Sequence, residues 1–263
     1  MLPSQPTDLA AISDAELARG LDVARKQRVA VFVVAYNAES HIEDTLRRIP
    51  EELLGHLASI YVIDDSSSDR TTHVARDIGR NLPILEVFQT PYNQGYGGNQ
   101  KLGYRYASRR GFDVVVLLHG DGQYAPEFLP RILAPFDEPE TAAVFGSRMM
   151  VPGAARRGGM PLYKYVGNRI LTAFENRFLG ADLSEFHSGY RAYRVSALES
   201  VPFQYNTNDF HFDTEIIIQL LARRLKIVEV PIPTYYGDEI CRVEGVPYAL
   251  RCVGSVLRSR APW

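Results

Sequence analysis

Cysteine is nearly absent: among 263 residues only Cys241 and Cys252 occur. Neither has Cys or His companions at metal-ligand spacing, so neither a disulfide framework nor a zinc site is supported. No window approaches the roughly eighteen consecutive apolar residues of a membrane-spanning helix. The N-terminal stretch "MLPSQPTDLAAISDAELARG" also lacks the apolar core of a signal peptide. The expected setting is reducing and cytoplasmic. Basic excess is missing too: 29 Lys and Arg against 31 Asp and Glu leave a formal charge of -2, which speaks against nucleic acid as a partner. Repeats and low-complexity segments are not found. What is plentiful is apolar, 46% of residues, enough to bury a full core as one large or two small domains.

The apolar residues are arranged in alternating elements. Ser13 followed by Glu16 in "SDAELARGLDVARKQ" reads as a capping box opening a surface helix. "RVAVFVVAY" (28–36) is a continuous β-branched run of the kind that forms a strand covered on both faces. Then come "ESHIEDTLRRIPEELLGH" (helix), "IYVIDD" (strand), "SDRTTHVARDIG" (helix), "ILEVFQT" (strand), "GGNQKLGYRYASRRG" (helix) and "FDVVVLLHG" (strand). Strands separated by helices of this length imply right-handed crossovers and a mostly parallel sheet with helices on both faces. Ligands of such sheets gather at the carboxyl ends of the strands. Residues 151–160, "VPGAARRGGM", read as a mobile loop.

Three of those strand ends carry unusual polar residues: "AYNAES", "IDDSSSD" and "HGDGQ". Each has a local explanation. Asn37 turns the chain, Asp64 and Asp65 cap a helix starting near Ser68, and Asp121 serves a turn ahead of Pro126. Taken together they converge. In "HGDGQYAPE" (119–127) a carboxylate sits between two glycines with His119 and Gln123 two residues to either side, so three donor-bearing side chains can aim at one point, as a metal or phosphate site requires.

The motifs "VVAYNAES", "VIDDSSSDRT", "NQGYGGNQKLGY", "LLHGDGQYAPE", "FGSR", "SGYRAYR" and "FDTEIIIQLLARRLKIVEVPIPTYYGDE", in this order, resemble family 2 glycosyltransferases with the nucleotide-sugar-binding A-type fold. The resemblance runs from about Arg28 to about Glu239. It is nearest to the dolichyl-phosphate mannose synthase-like, or polyprenyl-phosphate, sugar transferases. It divides the chain into a helical extension (1–27), a transferase domain (28–240) and an amphipathic tail (241–263).

On the donor side, the resemblance implies a UDP- or GDP-sugar whose diphosphate charge is met by Mg2+ or Mn2+. Asp121 is the first choice of ligand and catalytic residue. Relatives often read Asp-x-Asp-x-Gln here. In this chain His119 replaces the first aspartate while Asp121 and Gln123 match, and a neutral imidazole suits Mn2+ better than Mg2+. By the same similarity Ala35 and Tyr36 flank the base beside Asn37, Asp65 accepts from base or ribose, and Ile63 packs next to it. Relatives often carry Glu directly after the Tyr-Asn pair; here Ala38 stands there and Glu39 is the nearest carboxylate. The glycine-rich turn at 93–103 has two readings, close packing or backbone approach to phosphate with Lys101 adding charge.

The second half would hold the acceptor. Arg148 at a strand end, with Ser188 and Arg191 on a reversing segment, would meet the phosphate of a lipid carrier. A phosphate acceptor is already ionised and needs no protein base. A hydroxyl acceptor does, and Asp213, at the start of a helix whose positive end it also stabilises, is the candidate. A single displacement inverts the anomeric carbon under either reading. The tail "VPYALRCVGSVLRSRAPW" has arginines at 251, 258 and 260 and no acid, so its helix either rests on the inner face of an anionic membrane or closes the core. A non-catalytic nucleotide-sugar-binding module is the alternative from another class.

Overall fold

The computed structural model describes residues 11–235 and 244–259. The first helix, α1 (Asp14–Lys26), opens with the capping box expected of Ser13 and Glu16: the Glu16 amide donates to Ser13 Oγ at 3.3 Å and the Ser13 amide to Glu16 Oε2 at 2.9 Å. Expected as an extension, α1 is packed into the domain. Val23 and Ala24 are buried, Gly20 rests on Pro130, and Arg131 reaches back to Glu16 at 2.6 Å.

Then follow β1 (Val29–Ala35), α2 (Ile42–Arg47), α3 (Glu51–Leu54), β2 (Ser59–Asp64), α4 (Thr71–Gly79), β3 (Leu85–Gln89), α5 (Tyr96–Arg109) and β4 (Val114–His119). The single helix read over residues 39–56 is two short ones, because Pro50 lacks the amide that would continue the first. The second half contributes α6 (Leu129–Leu133), β5 (Thr141–Ser147), α7 (Ala154–Arg157), α8 (Leu162–Leu179), β6 (Arg191–Arg194), α9 (Val195–Glu199), α10 (Phe212–Ala222), β7 (Lys226–Pro231) and α11 (Gly245–Arg258). The segment read as a mobile loop contains α7, pinned by buried Ala155 and Met160. Arg242 and Arg260 of the expected basic tail lie outside the described residues.

Seven strands form one sheet in the order β3-β2-β1-β4-β6-β5-β7. It is parallel except for β6, which runs antiparallel to both β4 and β5. Chain order reverses between β1 and β4, and open α/β sheets bind ligands in the crevice at such a point. Val34 pairs with His119 and Ala35 with Asp64. The three polar strand ends are therefore neighbours along one edge.

Successive residues of β1 point to opposite faces, and both faces are covered. Val31 and Val33 join Val116, Leu118, Ile42 and Phe136 on one side. Phe32 joins Tyr61, Leu117, Tyr104 and Phe212 on the other. Helix α5 comes so near to β1 that Gly103 lies directly against the Phe32 ring, leaving no room for a methyl group. That ring also stacks on Tyr61 with centroids 5.1 Å apart. An alanine at Gly103 gains about 1 kcal/mol of helix propensity, but it must displace a ring enclosed on all sides. Gly103→Ala is expected to destabilise the protein by about 1–3 kcal/mol net, read as a lower urea midpoint at unchanged slope.

Candidate active site

A cleft of about 1060 Å³ opens at the carboxyl ends of β1, β2 and β4 and continues between α8 and α11. Ala35, Tyr36, Asn37, Asp65, Asp121 and Gln123 line its sheet end. Asn37 takes a left-handed backbone (φ 47°) and its Oδ1 accepts from the Ser68 amide at 2.9 Å, tying the loop after β1 to the loop after β2. Asp65 is 3% exposed and accepts from the Gln94 amide at 2.7 Å and from Thr90 Oγ1 at 3.2 Å. Burial raises its pKa against the pull of those two donors.

The neighbouring carboxylates do other work. Asp64 accepts from Ser67 and Thr72 ahead of and within α4, as its capping role anticipates. Glu39, expected beside the donor, accepts from the Arg70 amide at 3.0 Å and does not line the cleft. Ile63 is likewise withdrawn: its side chain lies in the core, and its carbonyl accepts from Asn99 Nδ2 at 2.9 Å.

At the end of β4 the turn is made by Gly122, whose φ of 77° disfavours any residue with a Cβ. It sets the Gln123 amide 3.1 Å from Asp121 Oδ1. His119 stands beside them with Nδ1 3.9 Å from Asp121 Oδ2. Behind it runs a hydrogen-bonded chain. Tyr104 donates to Gln100 Oε1 at 2.6 Å, Gln100 Nε2 donates to Asp213 Oδ1 at 3.0 Å, and Tyr96 OH donates to Asp213 Oδ2 at 3.0 Å. His119 Nε2 lies 3.0 Å from the same Tyr96 oxygen.

Counting protons fixes the tautomer. A carboxylate only accepts, so the one phenolic proton of Tyr96 goes to Asp213. Burial keeps that phenol far from ionisation. His119 must then donate from Nε2. Burial holds its pKa below the ordinary value, outweighing the Asp121 and Asp213 carboxylates, so the ring carries a single proton. Nδ1 is left as a bare lone pair facing Asp121 Oδ2 with no proton between them. Two bonds of about 2.1 Å to one cation, meeting at right-angled to tetrahedral geometry, set ligand atoms roughly 3.0–3.4 Å apart, so the 3.9 Å between these two has to close by about half an ångström on an ion. The donor set of His119, Asp121 and Gln123 thus fits a divalent ion that accepts nitrogen.

Two expected groups of contacts are relocated. At the glycine-rich start of α5, Gly97 and Gly98 donate to the Asn208 carbonyl at 2.8 and 3.4 Å. Lys101, expected near the diphosphate, binds the Asn206 carbonyl and Asn208 Oδ1 instead and does not line the cleft. Ser188 and Arg191, expected at the acceptor, are 2% and 1% exposed and stand behind the cleft wall. Because β6 runs through the middle of the sheet, Arg191 is enclosed. Its guanidinium donates to the carbonyls of Ser188, Phe186 and Asp213, lies 4.8 Å over the Phe145 ring, and comes within 3.8 Å of Asp213 Oδ2. Arg148 does line the cleft, paired with fully buried Glu185 through Nε at 3.0 Å. Burial works against that carboxylate, but the Arg148 charge holds it below its usual range.

Comparison with known proteins agrees with this geometry. Residues 30–201 match the family model described as glycosyl transferase family 2. The chain belongs to that family. The transferase is 30% identical over 207 residues to the undecaprenyl-phosphate mannosyltransferase of Micrococcus luteus, covering 78% of this chain and 82% of that one. It is 27% identical over 222 residues to the UDP-N-acetylglucosamine--dolichyl-phosphate N-acetylglucosaminyltransferase of Methanococcus voltae, covering 80% and 86%. Among solved structures it is similar to glucosyl-3-phosphoglycerate synthase from Mycobacterium tuberculosis in complex with Mn2+, uridine diphosphate and phosphoglyceric acid. That likeness has a TM-score of 0.70 at 18% identity, over 94% of this chain and 84% of that one. It establishes the A-type glycosyltransferase fold.

Tyr96, Gln100 and Tyr104 were missed in the sequence. Their signal is spacing: three polar side chains at i, i+4 and i+8 on the sheet-facing side of one helix. Breaking the charge at the root of this chain should unfold rather than merely slow the transferase. Arg191→Ala leaves Asp213 buried beside no cation and is expected to cost about 3–5 kcal/mol of stability. A urea midpoint equal to that of the parent would contradict the assignment of Arg191 to the scaffold.

Proposed function

We propose that the transferase moves a sugar from a UDP- or GDP-sugar to the phosphate of a polyprenyl carrier, inverting the anomeric carbon. The observation that carries this reading is the cleft's far end. Tyr163, Val246 and Leu250 line the cleft and are also 72%, 73% and 68% exposed. The polar sheet end therefore opens, without a break, onto an apolar lip at the surface.

That lip belongs to two helices packed side by side. On α8, Leu162, Tyr163, Val166 and Ile170 form an exposed stripe; on α11, Val246, Leu250 and Leu257 do the same. Arg169, Arg177, Arg251 and Arg258 are exposed on the same helices, whose one acidic residue, Glu175, is buried. Apolar stripes flanked by cations and free of exposed carboxylates suit an anionic bilayer surface. No helix among the described residues is long and apolar enough to cross a membrane. The opposite face of α11, with Cys252 and Val256, closes the core.

In the reaction, Tyr36 and Asn37 flank the base and Asp65 receives a ribose or base donor. A divalent cation held by Asp121 and His119, with Gln123 beside them, supplies charge neutralisation at the diphosphate leaving group. Arg148 and Lys164 line the cleft where an anionic acceptor enters. The acceptor oxygen is already charged and attacks without a base. Asp213 also lines the cleft, its oxygens accepting from Gln100 and Tyr96, and would be called on as a base only by a hydroxyl acceptor.

The acceptor is tested with nucleotide sugars and three substrates: polyprenyl phosphate in anionic vesicles, a short water-soluble prenyl phosphate, and the corresponding alcohols. Both phosphates should be glycosylated and the alcohols left untouched. Ile170→Asp with Leu257→Asp should slow transfer to the vesicle-borne substrate alone. Equal transfer to the alcohols would refute the phosphate acceptor, and an equal effect on both phosphates would refute the membrane face.

The role of Tyr96 is tested by a double-substitution cycle. Without its oxygen the Nε2 proton of His119 has no acceptor, and Mn2+ affinity in the presence of UDP is expected to fall about 10–100-fold in Tyr96→Phe by calorimetry. A carboxylate offers lone pairs whatever its neighbours do, so in a His119→Asp background the same change should have no effect. Equal losses in both backgrounds would remove Tyr96 from this role.

A further inference from the structure

Away from the sheet end of the cleft, three metal-ligating side chains from separate elements converge. Glu175 on α8, His187 ahead of β6 and Cys252 on α11 each offer a ligand atom within 4.8 Å of the others. Glu175 and Cys252 are fully buried and the His187 side chain is 8% exposed. Glu175 Oε2 and His187 Nε2 lie 3.0 Å apart, and among the described residues neither atom has a hydrogen-bond partner. Buried polar atoms seldom go unmet. Bonds of about 2.1 Å to one ion, meeting at right-angled to tetrahedral geometry, would set two ligand atoms roughly 3.0–3.4 Å apart.

The surroundings are arranged for metal-ligand forms of all three side chains. His187 Nδ1 is 2.9 Å from Tyr248 OH. Donation there leaves Nε2 a bare lone pair, the usual way an outer hydrogen bond orients a ligating imidazole. Tyr248 also hydrogen-bonds Cys252, and Thr214 Oγ1 lies 3.3 Å from Cys252 Sγ and 3.4 Å from Glu175 Oε1. Both hydroxyls thus stand beside the sulfur, Thr214 with one proton for either Cys252 or Glu175.

We propose that Glu175, His187 and Cys252 form a second metal site, separate from that of Asp121, for a thiolate-preferring ion of the Zn2+ or Co2+ class. Sulfur and nitrogen ligands select such ions over Mg2+ and Mn2+. The ion would clamp α11 onto α8 and fix the apolar wall of the cleft. Residues 175, 187 and 252 are too far apart in the chain for ligand spacing to reveal them.

Chelator-treated full-length protein is titrated with Co2+ alone and followed by absorption, with circular dichroism reporting the fold of each variant. Expected is a thiolate-to-cobalt charge-transfer band saturating at one equivalent, kept in Asp121→Ala and in Cys241→Ser and lost in folded Cys252→Ser. Tyr248→Phe, which removes no ligand, should keep the band and weaken Co2+ binding about 10–100-fold. Absence of the band in the parent protein, or a band that disappears with Cys241 instead, overturns the site. So does a band unaltered by folded Cys252→Ser.

Discussion

A fully buried guanidinium must be answered by charge and by hydrogen bonds, and in this protein the answer to Arg191 organises the active site. Its three carbonyl partners hold the turn of residues 186–188 and the first turn of α10 in place. Its charge lies 3.8 Å from Asp213, whose oxygens accept from Gln100 and Tyr96. From there the consequence is proton accounting. Asp213 takes the proton of Tyr96, Tyr96 takes the proton of His119, and the lone pair of His119 is turned toward Asp121. A strand in the sheet centre thus sets the donor properties of a side chain at the sheet edge. The family's function asks for a metal-binding acid here. A histidine meets that need only with such a chain behind it, since an imidazole presents a lone pair on one nitrogen at a time.

The same sheet explains why one cleft serves two chemistries. Reversal of strand order between β1 and β4 opens a polar crevice lined by Asn37, Asp65 and Asp121, the proposed place of the nucleotide. Helices α8 and α11 extend it with an apolar wall that reaches the surface. In the proposed reaction the charged donor and greasy acceptor approach from different sides, with Arg148 and Lys164 lining the cleft between them. The proposed ion between Glu175, His187 and Cys252 lies in that second wall, so the two ends are stabilised by different means.

Much of the fold was legible because strands covered on both faces read as unbroken apolar runs, and their polar ends stand out against them. Tyr36, Asn37, Asp65, His119, Asp121 and Gln123 lie together at the cleft for that reason. Arg191 was misplaced because β6 is short and antiparallel: "RAYR" alternates like a surface strand, and only its position between β4 and β5 buries the arginine. Lys101 and Glu39 were misplaced for a related reason. Their partners, Asn206 with Asn208 and the Arg70 amide, are remote in sequence, and a charged side chain takes the nearest carbonyl or amide that tertiary packing brings to it. The first helix looked peripheral for want of a strong apolar run, yet two buried residues, Val23 and Ala24, suffice to seat it.

The account turns on which nitrogen of His119 carries the proton. Nitrogen NMR of ring-labelled protein, with the His119 resonances identified by their loss in His119→Asp, reads this directly. The prediction is a neutral ring protonated at Nε2 and bare at Nδ1 in the parent protein near neutral pH. A ring protonated at Nδ1, or a mixture of both tautomers, would mean that the chain through Tyr96 and Asp213 does not orient the site.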